Sequence, residues 1–430
     1  MQINSFKLKL TGSFTYDPEH VKNRFSSSSF DYAGFFTNNS KYLSQKYYSN
    51  WLNSFYYNDV KLRENRLGVL NSNHLKLHEE SELYDQIHAI DCFDGESERS
   101  IEFTVESVET FLLREHTGIF IIGIDLLNVH WNWEDISLFT SHIRRTNTFN
   151  PEGKLPIIVE IIEQHISGEF HPDKTKWRNF HPQLKSVILV DLKESIPKNQ
   201  LDRLLYDLGT FSNPLEKHQL LEPEENYYLD EIEANSISVF NNWKALCLED
   251  SLVRVSIDLE DKDKFKLWER EYVYIYIYVL FARHYLYRCN ATLIEVSSNE
   301  KLLKETRNNF FQFMNEFEFT RISYKFLPNT LFLQFKKSLQ IDDEIRIVEK
   351  EIARINTLFK EQSDDRLGKV ILILTTLTLL SVAYDASHLF IEILSPESNQ
   401  QRALILSISL ILIVGFGAYL LWMFKDRFRK

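Results

Sequence analysis

Two long apolar runs lie near the C-terminus of this chain, one from Val370 to Ala383 and the other from Ala403 to Phe424. The second would reach about 33 Å as an α-helix, which is enough to cross a hydrocarbon core of roughly 30 Å. The first would reach only about 21 Å. Its helix must therefore continue through Tyr384 and Asp385 towards Leu389 to complete a crossing. The pattern predicts a C-terminal hairpin of two transmembrane helices.

A heptad pattern leads into the first apolar run. Its apolar positions are separated by 4, 3, 4, 3 and 4 residues, with charged residues between them: Ile341, Ile345, Val348, Ile352, Ile355 and Phe359. This spacing predicts an amphipathic stalk helix with a coiled-coil-like seam, and we expect the seam to drive assembly with other copies of the chain. Gly368 is the one helix-weakening residue before the membrane, and no proline intervenes. The stalk and the first span are therefore predicted to be one helix.

Before the stalk, short apolar runs alternate with helical patterns. Strands or buried segments are predicted at Ile3 to Leu10, Ile119 to Leu126, Pro156 to Ile162 and Ser186 to Leu192, and helices at about Glu134 to Arg145 and Lys198 to Leu208. Such alternation is typical of α/β and α+β folds. The predicted fold class is α+β, with an α/β cytosolic head (1–260), a helical domain and long stalk (261–365), and a two-helix transmembrane hairpin with a short outer loop and a basic tail (366–430).

The segment around residue 275 is ambiguous in its periodicity. Four tyrosines alternate with aliphatic residues between Tyr272 and Tyr278, which taken alone would indicate a strand. The flanks favour a helix, because Lys264 to Glu271 is charged and helix-prone and Phe281 to Arg288 continues without glycine or proline. The segment is also long for a strand. We predict a helix.

Charge sets the expected orientation of the hairpin. Arg366 and Lys369 precede the first run, a basic tail follows the second, and the connecting loop is acidic. By the positive-inside rule, both termini are expected on the cytoplasmic side of the cell (inner) membrane. The chain starts Met1-Gln2-Ile3-Asn4 without a signal-peptide pattern, and its three cysteines have no metal-ligand spacing. A head in the reduced cytosol is expected.

The formal net charge of −12 argues against a nucleic-acid duplex as a partner, because phosphate neutralisation needs a basic surface. An acidic head would suit a protein that gathers cations, although an ordinary soluble head is often acidic too. His165, His171 and His181 lack a zinc spacing, so no metal site is predicted. The chain also has no phosphate-cradling glycine loop and no nucleophile elbow, and we do not expect an enzyme.

Polar residues continue the heptad phase into and beyond the first span. Thr378, Asp385 and Glu392 are seven residues apart, and Thr375 and Val382 lie beside that stripe. An ionisable residue at the edge of a span suggests a functional site, because its exposure to lipid is costly. In a symmetric bundle the five residues would line a pore whose mouth carries a ring of carboxylates. The alternative is that Asp385 marks the outer end of the span and is already in water.

Two groups of residues that precede the stalk could hold a small nucleotide-like ligand. They are Trp131, Trp133, Arg144 and Arg145, which follow the strand that ends near Leu126, and Arg283 and Arg288 in the tyrosine-rich segment. An indole could stack on a base while arginine binds phosphate. The alternative is that both tryptophans pack in the core and that the arginines are solvated.

The combination of a cytosolic head, a stalk continuous with the first of two C-terminal spans, a short outer loop and the basic tail Lys425-Asp426-Arg427-Phe428-Arg429-Lys430 resembles CorA-type divalent-cation channels. The resemblance is clearest from Trp268 to Lys430. It implies a homopentamer whose first span lines the pore, with Mg²⁺ or another divalent cation as the permeant ion. Family transporters carry an aromatic residue followed by Gly-Met-Asn at the outer end of this span. Here Tyr384-Asp385-Ala386-Ser387-His388 matches the aromatic residue but not the signature.

Some CorA-like proteins without this signature are encoded beside type III CRISPR systems, where they are thought to act as membrane effectors switched by a nucleotide messenger. The resemblance therefore implies an antiviral ion channel that opens when a ligand binds its head. Two alternatives stay open. One is a constitutive divalent-cation (Mg²⁺) transporter, which the missing signature disfavours. The other is a membrane-tethered cytosolic enzyme, which would have no reason to keep a polar stripe in phase with the seam.

Overall fold

The structure is a computed structural model with a mixed α+β fold. It describes residues 3–17, 30–32, 73–77, 80–93, 98–112, 117–127, 133–146, 156–167, 184–211, 225–257, 267–295, 300–317, 321–323 and 325–394, together with residue 20 and isolated positions between 400 and 415. The chain divides into two compact units. The first comprises Met1–Thr292 with Asn308–Ile347, and the second comprises Leu293–Arg307 with Val348–Lys430.

The described strands form one ten-stranded sheet in the first unit. They are β1 (Ile3–Thr15), β2 (Phe30–Tyr32), β3 (Asn73–Leu77), β4 (Ile87–Phe93), β5 (Glu98–Leu112), β6 (Thr117–Leu126), β7 (Lys185–Leu192), β8 (Ser236–Phe240), β9 (Trp243–Cys247) and β10 (Ser251–Ile257). Their order is β2-β3-β5-β6-β1-β7-β10-β9-β8, and β4 pairs with β5. Of the described pairs, β7 and β10 are parallel and the others are antiparallel. The head is therefore α+β rather than α/β in the strict sense.

Eight α-helices accompany the sheet in the described part of the chain. They are α1 (Trp133–Ile143), α2 (Ile157–Ile162), α3 (Lys198–Thr210), α4 (Glu225–Asn235), α5 (Val273–Glu295), α6 (Glu300–Phe317), α7 (Phe326–Ser338) and α8 (Ile341–Leu394). Helices α1, α2 and α3 pack on one face of the sheet in a single apolar core, where Phe103 of β5 meets Phe139 of α1 with ring centroids 5.5 Å apart.

The tyrosine-rich helix α5 covers the other face of the sheet. Every residue from Val273 to Phe281 is at most 1% exposed. The ring of Tyr274 packs edge-on against Phe111 of β5, whereas Tyr276 packs against Phe335 of α7. A helix that lies between a sheet and other helices must be apolar all round, so its sequence has no polar face to show helical periodicity. The predicted helix is confirmed.

The other sequence predictions in the head are confirmed with one exception. The strands predicted at residues 3–10, 119–126 and 186–192 lie in β1, β6 and β7, and the two predicted helices correspond to α1 and α3. The segment Pro156 to Ile162 is buried but is the helix α2, so a strand there is wrong. Its buried residues, Ile158, Val159, Ile161 and Ile162, have the spacing of one helix face. Pro156 stands at the N-cap, where its missing N–H costs no hydrogen bond.

Helix α8 joins the stalk and the first apolar run without interruption, as predicted. It is the one helix in the described residues that is long and apolar enough to cross a membrane. Its most apolar 18-residue window has a mean hydropathy of 1.9, and none of that window is buried within the chain. The core helix of a soluble protein would be mostly buried, so this exposure supports membrane association. Most of the second apolar run, the outer loop and the basic tail lie outside the described residues.

The heptad seam is already buried within a single chain. Ile341, Val348, Ile352 and Ile355 are no more than 4% exposed, although Ile345 and Phe359 are partly accessible. A heptad stripe also forms when a helix packs on helices of its own chain, so burial within one chain gives the seam a second explanation. Assembly through the seam stays a prediction.

Candidate functional site

A cluster of charged side chains lies where β7 and β10 begin. Arg144 follows α1, and its Nε donates to the carbonyl oxygen of Leu184 at 3.1 Å, which places its guanidinium beside the first residue of β7. That residue is Lys185, whose Nζ donates to the carbonyl oxygen of Glu249 at 2.7 Å and to Oδ1 of Asp250 at 3.1 Å. Arg144 Nη2 lies 3.5 Å from Oδ2 of the same aspartate. Two cations thus share one carboxylate in the turn between β9 and β10.

A third cation reaches the same turn from α5. Arg283 donates from Nη2 to the side-chain carboxylate of Glu249. We call Arg144, Lys185 and Arg283, with the carboxylates of Glu249 and Asp250, the cation cluster. Its cationic side chains are 6%, 9% and 18% exposed, whereas Glu249 and Asp250 are 64% and 54% exposed. The positive charges are therefore held in place inside the protein, and the negative charges that balance them reach solvent.

Donor groups beside the cluster have no hydrogen-bond partner among the described residues. They include Nη1 of Arg283 and the hydroxyl of Tyr276, both of which are buried. Burial raises the pKa of Tyr276 well above its usual value, and its hydroxyl interacts electrostatically with Asp250, Arg283 and Arg144. A buried donor without an acceptor costs roughly 1–3 kcal/mol. A ligand with several acceptor oxygens would satisfy these donors as well as the excess positive charge.

Burial and charge pairing oppose each other in the cluster. Burial lowers the pKa of Arg144 and of Lys185, and the nearby Asp250 only partly offsets this effect. Burial alone would raise the pKa of Asp250, but Lys185 and Arg144 more than compensate and hold it below its usual value. The two cations therefore keep part of their desolvation cost, which a second anion could reduce.

The structure brings together residues from the two groups predicted separately. Arg144 and Arg283 meet at the same turn. Arg145 instead is exposed and donates to the Ser141 hydroxyl at 3.3 Å, while Arg288 donates to the hydroxyl of Thr117 at the start of β6. Trp133 packs against the core under the sheet, which agrees with the alternative interpretation. Trp131 lies outside the described residues.

Sequence reasoning did not identify Lys185, Glu249 and Asp250 as site residues. Lys185 is the first residue of an otherwise largely apolar strand, and the two carboxylates lie between two strands, so polar residues at strand ends were the available signal. The sequence does not show that these strand ends are neighbours. They are brought together by the parallel pairing of β7 with β10, in which Ser186 lies opposite Ser251.

The five predicted pore residues all lie on α8. Thr375, Thr378, Val382, Asp385 and Glu392 are exposed on the isolated chain. The hydroxyls of the two threonines donate to the carbonyl oxygens of the residues four positions earlier, each at 2.8 Å. Each hydroxyl therefore has its donor satisfied inside the helix and keeps acceptor capacity on its outer side.

Groups of three or more His, Cys, Asp and Glu side chains that could hold a metal ion do not occur among the described residues. Of the three histidines considered from the sequence, His165 lies in the π-helical segment Glu163–Ser167 that continues α2, and His171 and His181 are outside the described residues. Comparison of the chain with protein-family models, curated proteins and solved structures gives no match.

Proposed function

We propose that the chain forms a CorA-like ion channel in the cell membrane that opens when a ligand binds the cation cluster of its head. The observation that carries the proposal is helix α8, which runs unbroken from the head through an unburied apolar segment. This helix presents Thr378, Asp385 and Glu392 seven residues apart. An arrangement of this kind connects a cytosolic domain directly to a polar stripe at membrane depth.

Self-association accounts for the polar stripe. A carboxylate that faces lipid is costly, and symmetric copies of α8 would turn Asp385 towards a common axis instead. The ring would attract cations, consistent with Mg²⁺ or another divalent cation as the permeant ion. The proposed assembly is a homopentamer of two-span subunits, as the CorA resemblance implies, and the positive-inside rule places both termini in the cytoplasm.

The ligand proposed for the head is a small phosphate-bearing molecule. Arg144, Lys185 and Arg283 present buried positive charge, and phosphate oxygens accept charge-assisted hydrogen bonds from arginine and lysine. A nucleotide messenger has this chemistry, and such a ligand would suit an antiviral effector associated with type III CRISPR. Binding must favour the open state over the closed state for the ligand to open the channel.

Reconstitution tests the proposed function directly. Purified protein in liposomes is expected to pass cations when ATP, pyrophosphate or a short oligoadenylate is supplied and to be closed without them. Equal flux with and without these compounds would instead identify a constitutive transporter. Absence of flux under every condition, with a monomeric mass in detergent, would favour the membrane-tethered alternative.

Removing one buried cation should weaken ligand binding strongly. We expect Arg144→Ala to raise the Kd for pyrophosphate by about tenfold or more, because a charge-assisted hydrogen bond contributes about 1.5–3 kcal/mol. Arg145→Ala is the matched control, since its side chain is exposed and adjacent in sequence, and its Kd should stay within about twofold. Calorimetry at constant ionic strength measures both. Equal losses in the two variants would show that general positive charge, and not the cluster, attracts the anion.

A further inference from the structure

The last turn of α7 is fastened to the end of α4 by side-chain hydrogen bonds. Gln334 and Lys337 donate to the carbonyl oxygen of Ala234 at 3.0 and 2.9 Å. The Ser338 hydroxyl donates to Oδ1 of Asn235 at 3.1 Å. Ala234 and Asn235 are the last residues of α4 and directly precede β8. Three side chains of one helical turn therefore hold one position at the base of the β8–β9 hairpin.

The same turn of α7 also contacts the other strand of this hairpin. Helix α7 packs against β9, whose last residue, Cys247, is fully buried and donates from its thiol to the carbonyl oxygen of Leu248 at 3.9 Å. Burial raises the pKa of Cys247 to about 12, and the nearby side chain of Ser338 partly opposes this rise. Opposite strand positions Ser236 and Leu246 are paired, so the two ends that α7 contacts are neighbours in the sheet. The last turn of α7 thus lies across the open end of the β8–β9 hairpin.

Only Leu248 separates Cys247 from the carboxylates of the cation cluster. Glu249 and Asp250 form the turn that follows β9, and they contact Lys185, Arg144 and Arg283 as described above. Strand β9, which α7 contacts, therefore continues directly into Glu249 and Asp250, the two carboxylates that a bound anion would displace.

On its other side, α7 is joined to the stalk by two residues. Leu339 is fully buried, and Gln340 adopts a left-handed backbone conformation with φ of 54°, which non-glycine residues adopt only where their surroundings hold them. Across this joint, Lys336 of α7 forms an ion pair with Asp342 of α8 at 2.9 Å. The first turn of α8 is therefore held against the last turn of α7.

We propose that the last turn of α7, Gln334 to Ser338, couples occupancy of the cation cluster to the joint at Gln340 from which the stalk begins. The inference rests on the proposed function in taking the cluster as the ligand site. A bound anion competes with Asp250 and Glu249 for the three cations and releases the β9–β10 turn. The end of β9 then shifts beneath Ser338, and the joint at Gln340 loosens. The ligand can drive this change only by its higher affinity for the released state.

Hydrogen exchange of the full-length protein in detergent tests the coupling without any ion flux. We expect Glu249→Gln with Asp250→Asn, which removes both carboxylates, to speed amide exchange at residues 339–344 by about tenfold or more, because these amides report on local opening. Amides of β6 should keep their parent rates. Pyrophosphate added to the parent protein should accelerate the same joint. If the double variant does not fold, as judged by circular dichroism, Glu249→Gln alone serves, since its side chain is exposed.

A second variant separates coupling from binding. Lys337→Ala with Ser338→Ala should leave the Kd for pyrophosphate within about twofold and remove the effect of pyrophosphate on exchange at residues 339–344. Lys325→Ala, an exposed lysine at the opposite end of the same helix, should behave as the parent. The inference is overturned if pyrophosphate binds the parent by calorimetry and the joint does not respond. If pyrophosphate does not bind, unchanged exchange in the carboxylate variant overturns it, whereas faster exchange there supports the coupling and assigns the failure to the proposed ligand.

Discussion

Asp385→Asn is expected to shift permeation away from cations while the oligomer keeps its mass. The substitution preserves the shape of the side chain and removes five negative charges from the proposed pore mouth, and these charges would concentrate cations there. The ring would face water, so the effect should appear in conductance and selectivity and not in stability. Flux of cations and anions from liposomes measures it, with ATP, pyrophosphate or a short oligoadenylate supplied.

Glu392→Gln provides the control on the same helix. It removes the same charge about 10 Å farther along α8, beyond the predicted span, and should change selectivity less. Unchanged flux and selectivity in Asp385→Asn would place the carboxylate outside the permeation path. That result would favour the alternative in which the span serves only as a membrane tether.

Ile352→Asp should destabilise the chain itself by about 3–5 kcal/mol. Ile352 is 4% exposed within a single chain, so the variant loses buried apolar contacts and places a carboxylate at a buried position. Ile347→Asp is the matched control, because Ile347 lies on the same helix and is 46% exposed. Its cost should be within about 1 kcal/mol. Thermal unfolding in detergent, followed by circular dichroism, compares the two.

The oligomeric mass of these variants distinguishes two roles of the stalk. If Ile352→Asp unfolds at the same temperature as the parent but no longer forms the oligomer, the seam contributes to contacts between subunits and not to the stability of the single chain. If Ile347→Asp loses the oligomer at unchanged stability, the side of the stalk that one chain leaves exposed is the subunit contact.

Local patterns in this sequence predicted local structure well. The continuity of α8 could be predicted because the sequence between seam and span contains no proline and only one glycine. The helix of alternating tyrosines could be inferred from its flanks, although its own periodicity indicated a strand. The strand predicted at Pro156 to Ile162 was wrong because this apolar run is short and has no informative flanks. A buried helix and a buried strand have the same sequence pattern in such a run.

Long-range pairing was the part that the sequence could not supply. Arg144 and Arg283 were candidates on separate grounds, but Lys185 and Asp250 became site residues only because β7 and β10 lie side by side. The heptad seam shows the same limit. The heptad period indicates that one face of the helix is packed. It does not show whether the partner is a helix of the same chain or of another copy.

The central position of β1 has a consequence for how the head is made. This strand pairs with β6 on one side and with β7 on the other. The later of these two partners in the chain is β7, which ends at Leu192. During synthesis at roughly 5–20 residues per second, β1 waits on the order of ten seconds or more outside the ribosome before both of its edges are covered. A strand with alternating apolar residues and open edges over that interval is prone to aggregation. Slower induction should therefore improve the yield of folded protein, because fewer chains with an uncovered β1 are then present at the same time.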